Sequence, residues 1–181
     1  SLPDDVLEFS LGEDARLFGP SASRDGLWEE TIDRAAVLGL TLADTSGQPV
    51  AVASRLMIAS PQTNLLLRGV LVADHWLVTV PGEGTLFVRA DVNAWPFVKG
   101  ALLPAWYLDR PWQGPEEYWP TVGPGADGSG TAVGVAGAFA GTEGRVVERY
   151  ELTSFDKARA AAAANGELHL ALSGPQVAAQ P

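Results

Sequence analysis

The stretch VTVPGEGTLFV, residues 78–88, most narrows what this chain can become. Two β-rich runs flank Pro-Gly-Glu-Gly, residue types that favour a tight reversal. In HWLVTV, Trp76, Val78 and Val80 share one side while His75, Leu77 and Thr79 share the other, because successive strand side chains point to opposite faces. A hairpin of this kind commits its neighbourhood to antiparallel sheet. Other segments agree. Ala36, Leu38, Leu40 and Leu42 alternate with Val37, Gly39 and Thr41, DTSGQP supplies a turn, and VAVASRLMI returns. Upstream, Trp28, Ile32 and Ala36 also carry helical spacing, but the turn that follows favours a strand over Ala36–Leu42. TNLLLRGVLV, TAVGVAGAFAG and RVVERYELT read as further strands, and ELHLAL places Leu168, Leu170 and Leu172 on one face with His169 opposite.

One segment departs from this period. Thr153 followed by Asp156 has the form of a capping box, the alanines from Ala160 to Ala164 favour helix, and Asn165-Gly166 is a left-handed stop. The spacing predicts a helix over about 154–164. The expectation is a mainly β to α+β fold: an antiparallel β-sheet folded as a barrel or a sandwich, with that one C-terminal helix. A single domain is expected over 1–181, with a frayed tail over 174–181. The length and the 46% apolar content suit one full core.

Between strands lies an aromatic, proline-rich excursion, about residues 93–130. Residues 93–120 hold four of the six tryptophans, two of the three tyrosines and five of the thirteen prolines. Connections this long inside compact domains are often lids or binding loops. Trp95, Trp106, Tyr107, Trp112 and Trp119 offer flat faces suited to stacking on ring-bearing ligands. Asp109, Arg110, Gln113, Glu116 and Glu117 supply the neighbouring hydrogen-bonding groups. Two other readings use the same residues. The tryptophans can be packing anchors for an irregular segment, or FVKGALLPAWYL can sit at a membrane interface.

Composition removes several function classes. The net charge is −10, from 22 acidic and 12 basic residues, and only Lys99 and Lys157 are lysines. No basic patch offers the electrostatic footprint of a nucleic-acid binder. No run is long and apolar enough for a transmembrane helix. The absence of cysteine excludes disulfides and thiolate chemistry. His75 and His169 alone do not make a zinc set, so no metal and no cofactor is expected. GPGADG, residues 123–128, matches G-x-G-x-x-G but lacks the strand before it and the helix after it that a dinucleotide site needs.

The functional expectation is a non-catalytic binding module of a soluble, bacterial type. Its ligand is a small molecule, carbohydrates included, or a protein, held through the aromatic segment. The alternative is a hydrolase-like enzyme using loop carboxylates such as Asp109, Glu116 or Glu117 beside an aromatic cleft. The sequence leaves oligomeric state open, and the compartment as well: cytoplasmic, or exported with the signal peptide absent from this chain.

Overall fold

The computed structural model describes residues 6–11, 35–64, 69–158 and 161–174. Ten strands run in chain order: β1 (Val6–Leu11), β2 (Ala35–Ala43), β3 (Pro49–Ala59), β4 (Leu71–Val80), β5 (Gly84–Asn93), β6 (Trp112–Tyr118), β7 (Thr121–Gly123), β8 (Gly130–Gly137), β9 (Glu143–Asp156) and β10 (Ala161–Ser173). Every pairing is antiparallel. Eight strands close a barrel in the order β10-β1-β2-β3-β4-β5-β8-β9, with β9 returning to β10. Of barrel and sandwich, the sheet is the barrel. The fold is mainly β, as the alternation implied.

The predicted hairpin is present. Val80 pairs with Gly84 across Pro81–Glu83, and Trp76, Val78, Val80, Leu86 and Val88 point into the core. The turn at DTSGQP is also formed, with the Asp44 carboxylate accepting from the Ser46 and Gln48 amides at 2.9 Å each. Leu168 and Leu170 are buried, Leu172 packs against the core, and His169 lies on the outer face, where it meets Glu167. Trp28 and Ile32, and Leu65 to Arg68 of the TNLLLRGVLV strand, lie outside the described residues.

The helix expected over 154–164 is not formed among the described residues of that segment. Ser154–Asp156 end β9, and Ala161–Ala164 begin β10. Alanine's helix preference amounts to only a few tenths of a kcal/mol per residue over most others. Here β10 pairs with β9 along its whole length and with β1 over Ala164–His169. That two-sided ladder outweighs propensity. Thr153 spends its hydroxyl across the ladder, donating to the Ala163 carbonyl at 3.0 Å, instead of capping a helix. Gly166 is no helix stop either. It faces Phe9 of β1, whose ring lies where a Cβ at residue 166 would stand.

The helix is instead at 95–107, inside the aromatic excursion. This α1 consists of an α-turn Trp95–Phe97, a π segment Val98–Leu102 and an α-turn Leu103–Tyr107. Pro96 and Pro104 each fall in the first positions of a turn, where a missing N–H costs nothing. Pro104 cannot donate back to the carbonyl of Gly100, and the π segment absorbs this: the Leu103 N–H reaches the Val98 carbonyl, five residues back. The rest of the excursion is sheet. β5 pairs with β8 at one end and with β7 at the other, while β9 leaves β8 and takes β6. Strands β6 and β7 thus fill the gap where β5 and β9 diverge. The excursion completes the barrel wall and closes one end of it.

Candidate ligand cavity

The core is packed from the β4–β5 hairpin end towards the middle by Trp76, Phe9, Leu42, Val78, Leu86 and Leu168. Towards the α1 end the packing stops short. A cavity of about 120 Å³ remains there, lined by Leu11, Met57, Val72, Val92, Leu152 and Ala164 together with Phe97, Tyr118 and Pro120. Each strand contributes residues of its inward parity. Phe97 is held in place by α1 and by an edge contact to Phe155, with ring centroids 5.7 Å apart.

Arg55 and Tyr150 are the charged and polar side chains at the inner end of this cavity, with Tyr118 beside them. Arg55 is only 4% exposed. Its Nε donates to Asp74 Oδ1 at 3.1 Å and Oδ2 at 2.9 Å, and its Nη2 donates to the same carboxylate. Nη2 also lies 3.4 Å from Glu148 Oε2. Glu148 is fully buried and collects two more donors: Trp76 Nε1 at 3.4 Å and the Tyr150 hydroxyl at 2.7 Å. The guanidinium carbon stands 4.6 Å from the Trp76 ring centroid and 5.3 Å from that of Tyr150. Tyr118 stacks on Tyr150 with centroids 5.7 Å apart. The Glu148 amide donates to Thr121 Oγ1 of β7 at 2.9 Å, which fixes the strand where it passes from β8 to β6.

One cation faces two acids in a dry interior, and the titration behaviour follows. Burial works against charge on Arg55, but Asp74, Tyr150 and Glu148 outweigh it and hold the guanidinium protonated above its usual range. Burial and the charge on Asp74 push Glu148 up to about 7, against the opposing pull of Arg55, Tyr150 and Trp76. Burial raises Tyr118 to about 12 and carries Tyr150 well above its ordinary value. The cluster is therefore near neutrality when Glu148 carries its proton.

The sequence reading proposes none of these three charged residues for the site, yet it holds a signal for them. Asp74 shares strand parity with Trp76, Val78 and Val80; Arg55 with Ala51 and Ala53; Glu148 with Val146, Tyr150 and Leu152. A charged side chain in phase with an apolar face points into the core, where it needs a partner.

The residues proposed from sequence lie elsewhere, on α1, on β6 and on the turns beside them. Trp95 is half-buried and Trp112 packs against the core from outside. Trp106, Tyr107 and Trp119 are 67%, 86% and 50% exposed. Asp109 pairs with Lys157, which also approaches the Trp106 ring at 5.9 Å. Glu117 accepts from Arg149 at 2.7 Å and from Trp119 Nε1 at 3.1 Å. These hydrogen bonds hold Asp109 and Glu117 below the usual carboxylate range. Arg110, Trp112 and Gln113 line a groove on the surface beside Pro104 and Leu108. Glu116, half-buried, packs its carboxylate against Gly100 of α1. The ten residues are thus spread over a surface, and the cavity takes none of them.

Among the described residues no group of three or more His, Asp or Glu side chains is placed to hold a metal ion. No helix among them is long and apolar enough to cross a membrane. No protein-family model matches this chain, and no curated protein matches it either.

Proposed function

We propose that this protein is a non-catalytic binding barrel for a small, largely apolar molecule, taken up in the cavity behind Phe97. The observation that carries the reading is an apolar chamber of about 120 Å³ with one polar end, set beside the packed core of the barrel. Eight-stranded barrels are just wide enough to be packed with side chains or to hold one small ligand. A comparable apolar cavity of about 150 Å³, engineered in another protein, takes up benzene. The lining suits a ring or short chain better than a sugar, whose many hydroxyls would find few partners there.

Toluene titrated into ¹⁵N-labelled protein tests this. Saturable shifts at the amides of Val92, Phe97, Leu152 and Ala164 are expected. Shifts scattered over the outer surface, or none, would remove the proposal.

One observation favours an enzyme instead: a buried glutamic acid raised to about 7 is a form in which general acids and bases occur. That acid is Glu148, whereas the loop carboxylates Asp109 and Glu117 are held low by their partners. Glu148 does not line the cavity, however, and Tyr150 stands between the two. The binding reading needs no group to cross that barrier and is preferred.

A further inference from the structure

Resting on the binding reading above, we infer that the cavity's ligand is an uncharged molecule of about seven to nine heavy atoms bearing one hydrogen-bond acceptor, a carbonyl-type oxygen, which takes its hydrogen bond from Arg55 Nη1.

Arginine has five N–H donors. Nε and Nη2 are engaged by Asp74 and Glu148. Among the described residues Nη1 meets no acceptor, although Arg55 is 4% exposed and lines the cavity. Asp74 occupies the Nε–Nη2 edge of the fork, and the Trp76 and Tyr150 rings lie against the guanidinium. Nη1 is thus the donor that remains for the cavity Arg55 lines. The other walls are hydrocarbon, apart from the Tyr118 and Tyr150 phenols, and the Tyr150 hydroxyl is already given to Glu148. A ligand matching this lining is apolar over most of its surface and polar at the end where Arg55 and Tyr118 stand.

Charge narrows the choice further. The positive charge of Arg55 is already met by Asp74, with Glu148 a second acid behind it. A carboxylate ligand would add a second anion to a cation whose charge is already met, and a third once Glu148 loses its proton. An ammonium ligand would place its charge against the guanidinium. A neutral carbonyl gains the hydrogen bond and avoids both penalties.

The probes are cyclohexanone and methylenecyclohexane, which share size and shape and differ in C=O against C=CH₂, together with cyclohexanecarboxylate and cyclohexylammonium. Affinities are read by NMR titration of the wild-type chain and of the double variant Arg55→Met/Asp74→Leu, which removes cation and counter-ion together. In the wild type the ketone should bind at least as tightly as the hydrocarbon, although water holds the ketone more strongly. In the variant the hydrocarbon should win by about tenfold or more, because the buried donor is gone. Both charged probes should bind the wild type at least about tenfold more weakly than the ketone. Should the variant fail to fold, the Arg55 guanidinium resonances in ¹⁵N-labelled wild type take its place: cyclohexanone should shift the Nη1 signals and methylenecyclohexane should not. Hydrocarbon preference already in the wild type, unshifted Nη1 signals, or a tighter carboxylate would overturn the inference while leaving the cavity a binding site. Failure of toluene and of all four probes would instead overturn the binding reading itself.

Discussion

The Tyr150 hydroxyl donates to Glu148 Oε2 at 2.7 Å, and this joins the polar end of the cavity to a carboxyl that no solvent reaches. Burial of that carboxyl, with the charge of Asp74 beside it, makes stability depend on pH in an unusual sense, and the Tyr150 contact only moderates the effect. Glu148 is raised from 4.5 to about 7, so the folded chain keeps a proton that the unfolded chain releases. The stabilisation is full below about pH 4.5 and is lost as pH rises through about 7. A tenfold difference in proton affinity between the folded and unfolded chain corresponds to about 1.4 kcal/mol. Urea unfolding between pH 5 and 8 should therefore show stability falling by an amount on the order of 2 kcal/mol, and Glu148→Gln should flatten the profile. The exposed acids Asp44, Asp109, Glu117 and Asp127 are all held low, so their contribution is lost on acidification, below this window. A Glu148→Gln profile as steep as the wild type's would assign the dependence to other groups.

Arg55 is the counterweight of the same cluster. Replacing it alone, as Arg55→Met, leaves Asp74 and Glu148 buried without a cation. The expected loss is about 3–5 kcal/mol. Adding Asp74→Leu removes the stranded charge and should recover most of that loss, since a buried ion pair exchanged for apolar residues of similar size is often neutral. Chemical denaturation of the two variants measures the difference. Equal losses in the single and double variants would show that packing, and not charge, holds this region.

What the sequence makes legible depends on range. The β4–β5 hairpin is legible because turn chemistry and alternation are local: Pro81, Gly82 and Gly84 sit among residues whose parity already separates Trp76 from His75. The 154–164 segment misleads for the converse reason. Ala161 to Ala164 carry a weak local preference, and the β1 and β9 partners that override it lie at a distance in the chain. The aromatic excursion reads as loop because its prolines break regular patterns, yet two of them begin turns of α1 and another lies at the register shift between Gln113 and Glu116 in β6. The cavity is not legible at all. It depends on packing across the barrel among residues as far apart in the chain as Leu11, Phe97 and Ala164.

Gly166 offers a test of that cross-barrel packing. The Phe9 ring lies over it, 5.0 Å from the Trp76 ring and 5.8 Å from the Tyr150 ring. A methyl group at 166 would push Phe9 into those neighbours. Gly166→Ala should destabilise by about 1–3 kcal/mol, the range of core overpacking. Phe9→Leu should relieve the clash, so that the double variant loses less than the sum of the single changes. Additive losses in thermal unfolding would mean that the strain lies in the β10 backbone and not in the ring.

The four excursion tryptophans separate packing from the cavity. Trp106 is 67% exposed, and Trp106→Ala should change stability by no more than about 0.5 kcal/mol. Trp112 packs on the core from outside and should cost more, though less than Trp76→Ala at about 3–5 kcal/mol. Neither Trp106→Ala nor Trp119→Ala should alter toluene binding, because neither residue lines the cavity.

Ala164 is the residue through which the cavity can be removed without touching the charged cluster. It is buried on β10 and lines the chamber with Leu11 and Leu152. A leucine at 164 would extend its branched end into empty space, where filling contributes dispersion contacts that the walls now lack. Ala164→Leu should therefore unfold at the wild-type temperature or higher, as cavity-filling changes commonly do. The same variant should lose toluene binding by an order of magnitude or more. The two measurements together are decisive. Retained binding with unchanged stability would place the ligand elsewhere. A large loss of stability would mean that the chamber is not free to be filled.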